Sequence, residues 1–428
     1  MSVAVADVSG DAIVGDVSIW SLLVSYLPVF VFSFLAVLVL TPLFRQLALA
    51  TGVVDNPDDA RKIHKKATPY LGGLGVFIGL LIGIAISYAL VVEEPSAYRP
   101  LPLSIVGGML AITFTGLADD VWGWDPRLKI AGQLVAAALL AVNDIGTQVA
   151  AGLFGYLFGM PIVEFTIPFP LMDIPVDVTY WMGTGIIAMF VLGGCNASNL
   201  IDGLDGLLSG TVAIIAVGLL SLSLMMASVL TESDLNVISR YIPEDIIISE
   251  GATLSGARIT LCMALLGAVL GFLPHNFNPA TIFLGDCGSL LLGYCCVVII
   301  LMLGEQGQTH LVLAGLLIFG VPIIDTILAI CRRKVQGLSM SAPDARHLHH
   351  ILKSWFGGVK RAVLAVYGIE VIMAGIGVTL GIMSLLGHIR MLVVYIVFIA
   401  IYSLVALVGV RMGLSRRKRM AAHLEEAS

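Results

Sequence analysis

The chain has 428 residues, of which 58% are hydrophobic and 12% charged, with mean hydropathy +0.99 and net charge −6. Soluble domains are about 45–50% apolar and about 25% charged. These proportions exclude a wholly water-soluble fold of this length and make lipid part of the solvent. The small net charge carries little information; the positions of the charges carry more.

The first residues, MSVAVADVSGDAIVGDVS, include Asp7, Asp11 and Asp16 but no Lys or Arg. A secretory signal needs a basic n-region, so the first apolar run is expected to stay in the membrane. Apolar runs of spanning length lie near 19–43, 71–92, 103–118, 130–145, 180–195, 208–230, 258–273, 288–303, 310–331, 362–387 and 390–412. The fold class expected is therefore all-α, a polytopic membrane protein with about eleven transmembrane helices. It forms one domain, 1–428, with a core over 19–412 and a basic tail over 413–428. The second run carries Gly72, Gly73, Gly75, Gly79 and Gly83, which suits close helix approach in lipid.

With the N-terminus outside, 19 of the 23 basic residues fall in cytoplasmic loops or the tail. Only Arg99, Arg240, Arg258 and Arg390 fall outside, so the positive-inside rule favours this orientation and a cytoplasmic C-terminus. Of two long external segments, 146–179 holds four prolines in 161–175 and reads as an extended or hairpin cover, and 231–257 reads as a polar loop. The cysteines Cys195, Cys262, Cys287, Cys295, Cys296 and Cys331 form no CxxC pair and read as small buried hydrophobes.

Polar residues that need an explanation gather in 55–73, 116–129, 196–206, 274–289 and 332–353, all on the cytoplasmic side of this topology. Carboxylates beside apolar helices are expensive to desolvate, which makes them functional candidates. Asp119 and Asp120 adjoin each other at a helix end; as a repelling pair they need a cation, a proton or a basic substrate nearby, unless they form a solvated loop turn. Lys129 can face phosphate or snorkel to headgroups. Asn196, Asn199, Asp202 and Asp205 recur every three residues, more than a helix cap requires.

Asp286, between Gly285 and Gly288, fits either an N-cap or an oxygen ligand for Mg²⁺. Asn276 and Asn278 offer amides, and Phe283 an aromatic face for a base or for packing. Arg332 and Arg333 open a loop that closes on His347, His349 and His350, a set suited to phosphate and, lacking cysteines, less suited to zinc. There is no GxxxxGK[ST] loop and no kinase signature, which argues against ATP held in a P-loop.

The stretches DNPDDARKIHKKATPYLGGLG, GLADDVWGWDPRLKIAGQ, NASNLIDGLDGL, NFNPATIFLGDCGS and SAPDARHLHHIL stand in order over residues 55–352. Together they resemble the polyprenyl-phosphate N-acetylhexosamine-1-phosphate transferase superfamily (glycosyltransferase family 4), and most closely its bacterial undecaprenyl-phosphate N-acetylglucosamine-1-phosphate transferase branch.

The resemblance implies a reaction in which the lipid phosphate attacks the β-phosphorus of UDP-GlcNAc and expels UMP. It implies that Asp119 and Asp120 meet the lipid phosphate, and that Asn199 and Asp286 hold Mg²⁺, with Mn²⁺ as an alternative. Asp202, Asp205, Asn276 and Phe283 match the nucleotide pocket, with Lys129 also facing substrate. Arg332, Arg333, His347, His349 and His350 match the loop that handles phosphate and sugar; Arg61 and His64 match a basic motif without an assigned role.

Leu348 interrupts the histidines, as in the GlcNAc branch and unlike the UDP-MurNAc-pentapeptide enzymes; relatives that use UDP-linked deoxy-N-acetylhexosamines share this motif, so another UDP-N-acetylhexosamine is the alternative donor. The partners implied are UDP-GlcNAc, undecaprenyl phosphate and the bilayer of a bacterial inner membrane, with a homodimer allowed and no nucleic acid. A secondary transporter with intramembrane carboxylates is the rival from another class; it predicts Asp119, Asp202 and Asp286 far apart.

Overall fold

A computed structural model describes residues 18–55, 68–90, 100–159, 163–167, 174–229, 253–339 and 347–426. Arg61 and His64, and most of the expected external loop 231–257, lie outside the described residues. The helices in chain order are α1 (Ile19–Thr51), α2 (Gly72–Leu90), α3 (Leu103–Trp122), α4 (Pro126–Ala141), α5 (Gln148–Phe158), α6 (Val178–Ile201) and α7 (Leu207–Val229). They continue as α8 (Ser255–Asn276), α9 (Gly285–Met302), α10 (Thr309–Ile318), α11 (Gly320–Gln336), α12 (Leu348–Phe356), α13 (Val359–Leu385) and α14 (Met391–Glu426). Two short antiparallel hairpins join them: β1 (Val54–Asp55) with β2 (Thr68–Pro69), and β3 (Glu164–Ile167) with β4 (Ile174–Asp177).

The architecture is an all-α polytopic membrane bundle. Among the described residues nine helices are long and apolar enough to cross a bilayer, or ten if α10 and α11 count as one span. The eleven apolar runs map onto these nine, the α10–α11 pair and the 16-residue α4. The run expected as one helix over 310–331 is broken at Phe319, where α10 and α11 meet at 81°. Glu370 of α13, fully buried, accepts the N–H of Val321 at 2.8 Å and satisfies one of the donors freed by the break. In the 146–179 segment the β3–β4 hairpin gives the expected extended cover, preceded by α5, which the proline-rich reading did not foresee.

Burial runs opposite to that of a soluble bundle. Central α9 is buried along nearly its whole length, packed by α3, α6 and α2. Peripheral α1 and α14 present Val24, Leu27, Val31, Leu35, Val39, Ile396, Ile399 and Leu404 outward. Apolar side chains cover both faces of the peripheral helices because lipid, not water, lies beyond them.

Candidate active site

Alternate connectivity brings the C-terminal ends of α3 and α6 and the N-terminal ends of α2, α4 and α9 to one end of the bundle, and the polar motifs lie there. Helix α9 starts without a side-chain cap of its own. Asp120, near the end of α3, supplies one: its carboxylate accepts the N–H groups of Asp286 at 2.8 Å and Cys287 at 3.0 Å. Gly285 makes this approach feasible. Its φ is +68°, and a Cβ there would lie 2.5 Å from Asp120 Oδ2.

With α9 clamped in this way, Asp286 faces three helix ends. Lys129, in the first turn of α4, pairs with Asp286 and also with Asp119 at 2.8 Å. Its ammonium therefore points into the carboxylates and does not snorkel to headgroups. Asn199 donates from Nδ2 to Asp286 Oδ1 at 2.7 Å and to Ser289 Oγ at 2.9 Å. Asp202 follows directly after α6 and lies in the fields of Asp286, Asp120 and Asp205; burial first, then those charges, push its carboxyl up to about 8.

The nucleotide-side candidates form a second, linked group. Asp205 accepts from Asn278 Nδ2 and from Ala280 N, both at 2.9 Å. Buried Asn276 is engaged on both sides of its amide: Oδ1 accepts from Gly206 N and Ser209 Oγ, and Nδ2 donates to Ile282 O. Its geometry is that of a knot holding the loop after α6 to the loop after α8, so its amide is not presented for a base. Phe283 is partly buried, pairs its backbone with Pro69, and sets its ring 6.1 Å from that of Tyr70.

The last loop reaches the same place. His349 is buried, and a Cβ on Gly203 would lie 2.5 Å from its Nε2, so the imidazole rests on the glycine between Asp202 and Leu204. Burial pushes its pKa down to about 3 and keeps it neutral. His347 stacks on His349 with centroids 5.7 Å apart, and His350 lies 4.2 Å from His349. Arg332, buried, and Arg333, half-buried, occupy the last turns of α11. Asn196 of the three-residue repeat turns away, bonding Gln133 and Leu192.

Two residues of this region escaped the sequence reading. Tyr70 bonds Asp55 and lies near Asp120 and Asp286; burial and these charges push its hydroxyl pKa up. Asp325 of α11 holds His347. Tyr70 lay inside a quoted motif without a chemical reason to choose it, and Asp325 looked like one more polar residue in an apolar run.

The donor set of Asp286, Asp202 and the Asn199 amide is hard oxygen. Among the described residues no three His, Cys, Asp or Glu side chains stand close enough to enclose a metal. Mg²⁺ commonly takes one or two carboxylates and completes its shell with substrate phosphate and water. Among the described residues Asp119 and Asp286 pair with Lys129, and a site of this charge fits such an ion. Asp119 and Asp286 share one lysine and Asp202 lies in the field of Asp286, the opposite of what the transporter reading requires.

Residues 102–304 match the family described as Glycosyl transferase family 4. The chain is 31% identical over 343 residues to a probable undecaprenyl-phosphate N-acetylglucosaminyl 1-phosphate transferase of Bacillus subtilis, covering 79% of this chain and 80% of that one. It is 32% identical over 347 residues to a decaprenyl-phosphate N-acetylglucosaminephosphotransferase of Mycolicibacterium smegmatis, covering 76% and 74%. It is also 28% identical over 364 residues to a phospho-N-acetylmuramoyl-pentapeptide-transferase of Bacillus cytotoxicus, covering 82% and 96%. With the motifs in order, the carboxylates gathered at one end of the bundle and these likenesses, the chain belongs to glycosyltransferase family 4, the membrane phosphoglycosyltransferases of the polyprenyl-phosphate N-acetylhexosamine-1-phosphate superfamily.

Proposed function

We propose that the protein transfers N-acetylglucosamine-1-phosphate from UDP-GlcNAc to undecaprenyl phosphate, releasing UMP, at the cytoplasmic face of a bacterial inner membrane. The observation that carries this reading is the Asp119–Lys129–Asp286–Asn199 network at four helix ends, with Asp202 beside it. Such a set sits where a lipid-borne phosphate can enter from the bilayer and a nucleotide from water. The product would start a cell-envelope polysaccharide. The apolar runs support eleven crossings, and the distribution of basic residues supports an external N-terminus and a cytoplasmic tail.

Both reactants are anions, so the barrier is one of charge and alignment. Bound at Asp286 and Asn199, Mg²⁺ would neutralise the donor diphosphate and the charge that develops on the departing UMP. The chain's own groups do the rest. Lys129 offers an ammonium to phosphate oxygen and holds Asp119 and Asp286 in register. Asp119 takes any proton left on the lipid phosphate and orients the attacking oxygen. Asp120 meets that phosphate only through the backbone it clamps. Asp205 and Phe283 border the nucleotide, Asn276 fixes their loops, and the histidine loop with Arg332 and Arg333 closes over phosphate and sugar.

The sugar assignment rests on Leu348 interrupting the histidines and on the names of the Bacillus subtilis and Mycolicibacterium relatives. The pentapeptide-transferase likeness supports the same chemistry with a larger donor as the second reading. Purified protein given undecaprenyl phosphate, Mg²⁺ and UDP-[³H]GlcNAc is expected to move label into the organic phase with equal release of UMP. EDTA and Asp286→Asn are each expected to reduce this on the order of 10²-fold or more. Transfer only from UDP-MurNAc-pentapeptide would replace the sugar assignment, and no transfer from any donor would overturn the reading.

A further inference from the structure

Helix α12 begins at Leu348, just after His347, and that histidine makes no side-chain cap of its own. The cap comes from Asp325, on α11, which is 1% exposed. Its Oδ1 accepts the Leu348 N–H at 2.7 Å, and its Oδ2 lies 2.7 Å from His347 Nδ1. An ionised carboxylate can only accept. The proton of that second bond therefore belongs to Nδ1, and Nε2 is the nitrogen left for a ligand.

The carboxylate is itself well anchored. It lies little more than a turn into a helix whose first N–H groups are held by Glu370. What it fixes is passed on by stacking: His347 lies parallel to His349, at an angle of 6°, and His349 rests on Gly203 beside Asp202. One carboxylate thus ties the last loop to the loop that follows α6.

We propose that Asp325 is a positioning residue for the transfer reaction: it locks His347 with Nδ1 protonated, so that Nε2 is the atom offered to the sugar-diphosphate donor. This rests on the reaction proposed above. Asp325 acts through His347 and touches no reacting atom. A purely structural role, capping α12, needs only the Oδ1 bond to Leu348, and Asp325→Asn keeps that acceptor. The new amide would face Nδ1 with an N–H, which favours the other tautomer.

The test joins a spectrum to a mutant cycle. Full-length protein in detergent, labelled with ¹⁵N-histidine and assigned by loss of one signal in His347→Gln, is expected to show His347 protonated at Nδ1. In Asp325→Asn that proton should move to Nε2. In the transfer assay, Asp325→Asn and His347→Gln are each expected to lower kcat/KM tenfold or more. The double variant should match His347→Gln within twofold, because the two residues act as one unit. Multiplying losses, full activity in Asp325→Asn, or an unprotonated Nδ1 in the native protein would each overturn the proposal. The spectrum needs no substrate. If the native chain transferred no sugar phosphate, the reaction would fall and the tautomer alone would decide the role of Asp325.

Discussion

Asp202 ends α6 with its carboxyl among three others, and burial with their charges pushes it up to about 8. Unfolded, the same group titrates near ~3.9. Between those values the folded chain holds one proton more than the unfolded chain, so its contribution to stability falls as pH rises and levels off above about 8. His349, pushed down to about 3, works in the opposite sense below its unfolded value of ~6.5. Above the His349 range, from about pH 6.5 to 8, the Asp202 share of that fall is worth about 2 kcal/mol at ~1.4 kcal/mol per pH unit. In EDTA, the native protein should melt lower at pH 8 than at pH 6.5, and Asp202→Asn should narrow that difference by the Asp202 share. An equal fall in the variant would contradict the assignment.

At the scale of elements, the point where α3 meets α9 governs the site. Asp120 satisfies two N–H groups at the start of α9, and through them sets the direction of Asp286. Asp120→Ala leaves both donors without an acceptor, a loss on the order of 3 kcal/mol. Asp120→Asn keeps one acceptor and should lose roughly half as much. Thermal unfolding followed by tryptophan fluorescence should order the proteins native, Asn, Ala; an unchanged Ala variant would remove the clamp from the account.

Much of this could be read from the sequence, and the exceptions have physical causes. Runs of apolar residues announced the spanning helices, and the three-residue repeat of Asn199, Asp202 and Asp205 announced the site. The sequence did not show that Asp120 faces backbone, because a carboxylate reads the same whether it meets a ligand or an N-terminus. The break at Phe319 was hidden because both halves are apolar and its partner, Glu370, lies about fifty residues on. Asp325 was passed over for a similar reason: its partner His347 follows 22 residues later.

Across the whole molecule, aromatic side chains mark two levels. Trp122, Trp355 and Phe356 are exposed at the end that holds the site, and Trp20, Tyr88 and Trp181 are exposed at the other. Amphipathic rings settle at headgroup depth, so the carboxylate cluster lies close to one membrane surface. In the proposed topology the basic residues put that surface at the cytoplasm. A fluorescent protein fused after Ser428 should therefore fluoresce in cells, and alkaline phosphatase fused there should stay inactive; the reverse pattern would invert the topology.

The central claim is that this end of the bundle moves a sugar together with its phosphate. The measurement that meets it most directly uses UDP-GlcNAc labelled with ³²P at the β-position, purified protein, undecaprenyl phosphate and Mg²⁺. The expected result is ³²P in the extracted lipid and unlabelled UMP in the water phase, with Asp286→Asn giving neither. Label retained in UDP while the sugar alone reaches the lipid would contradict it.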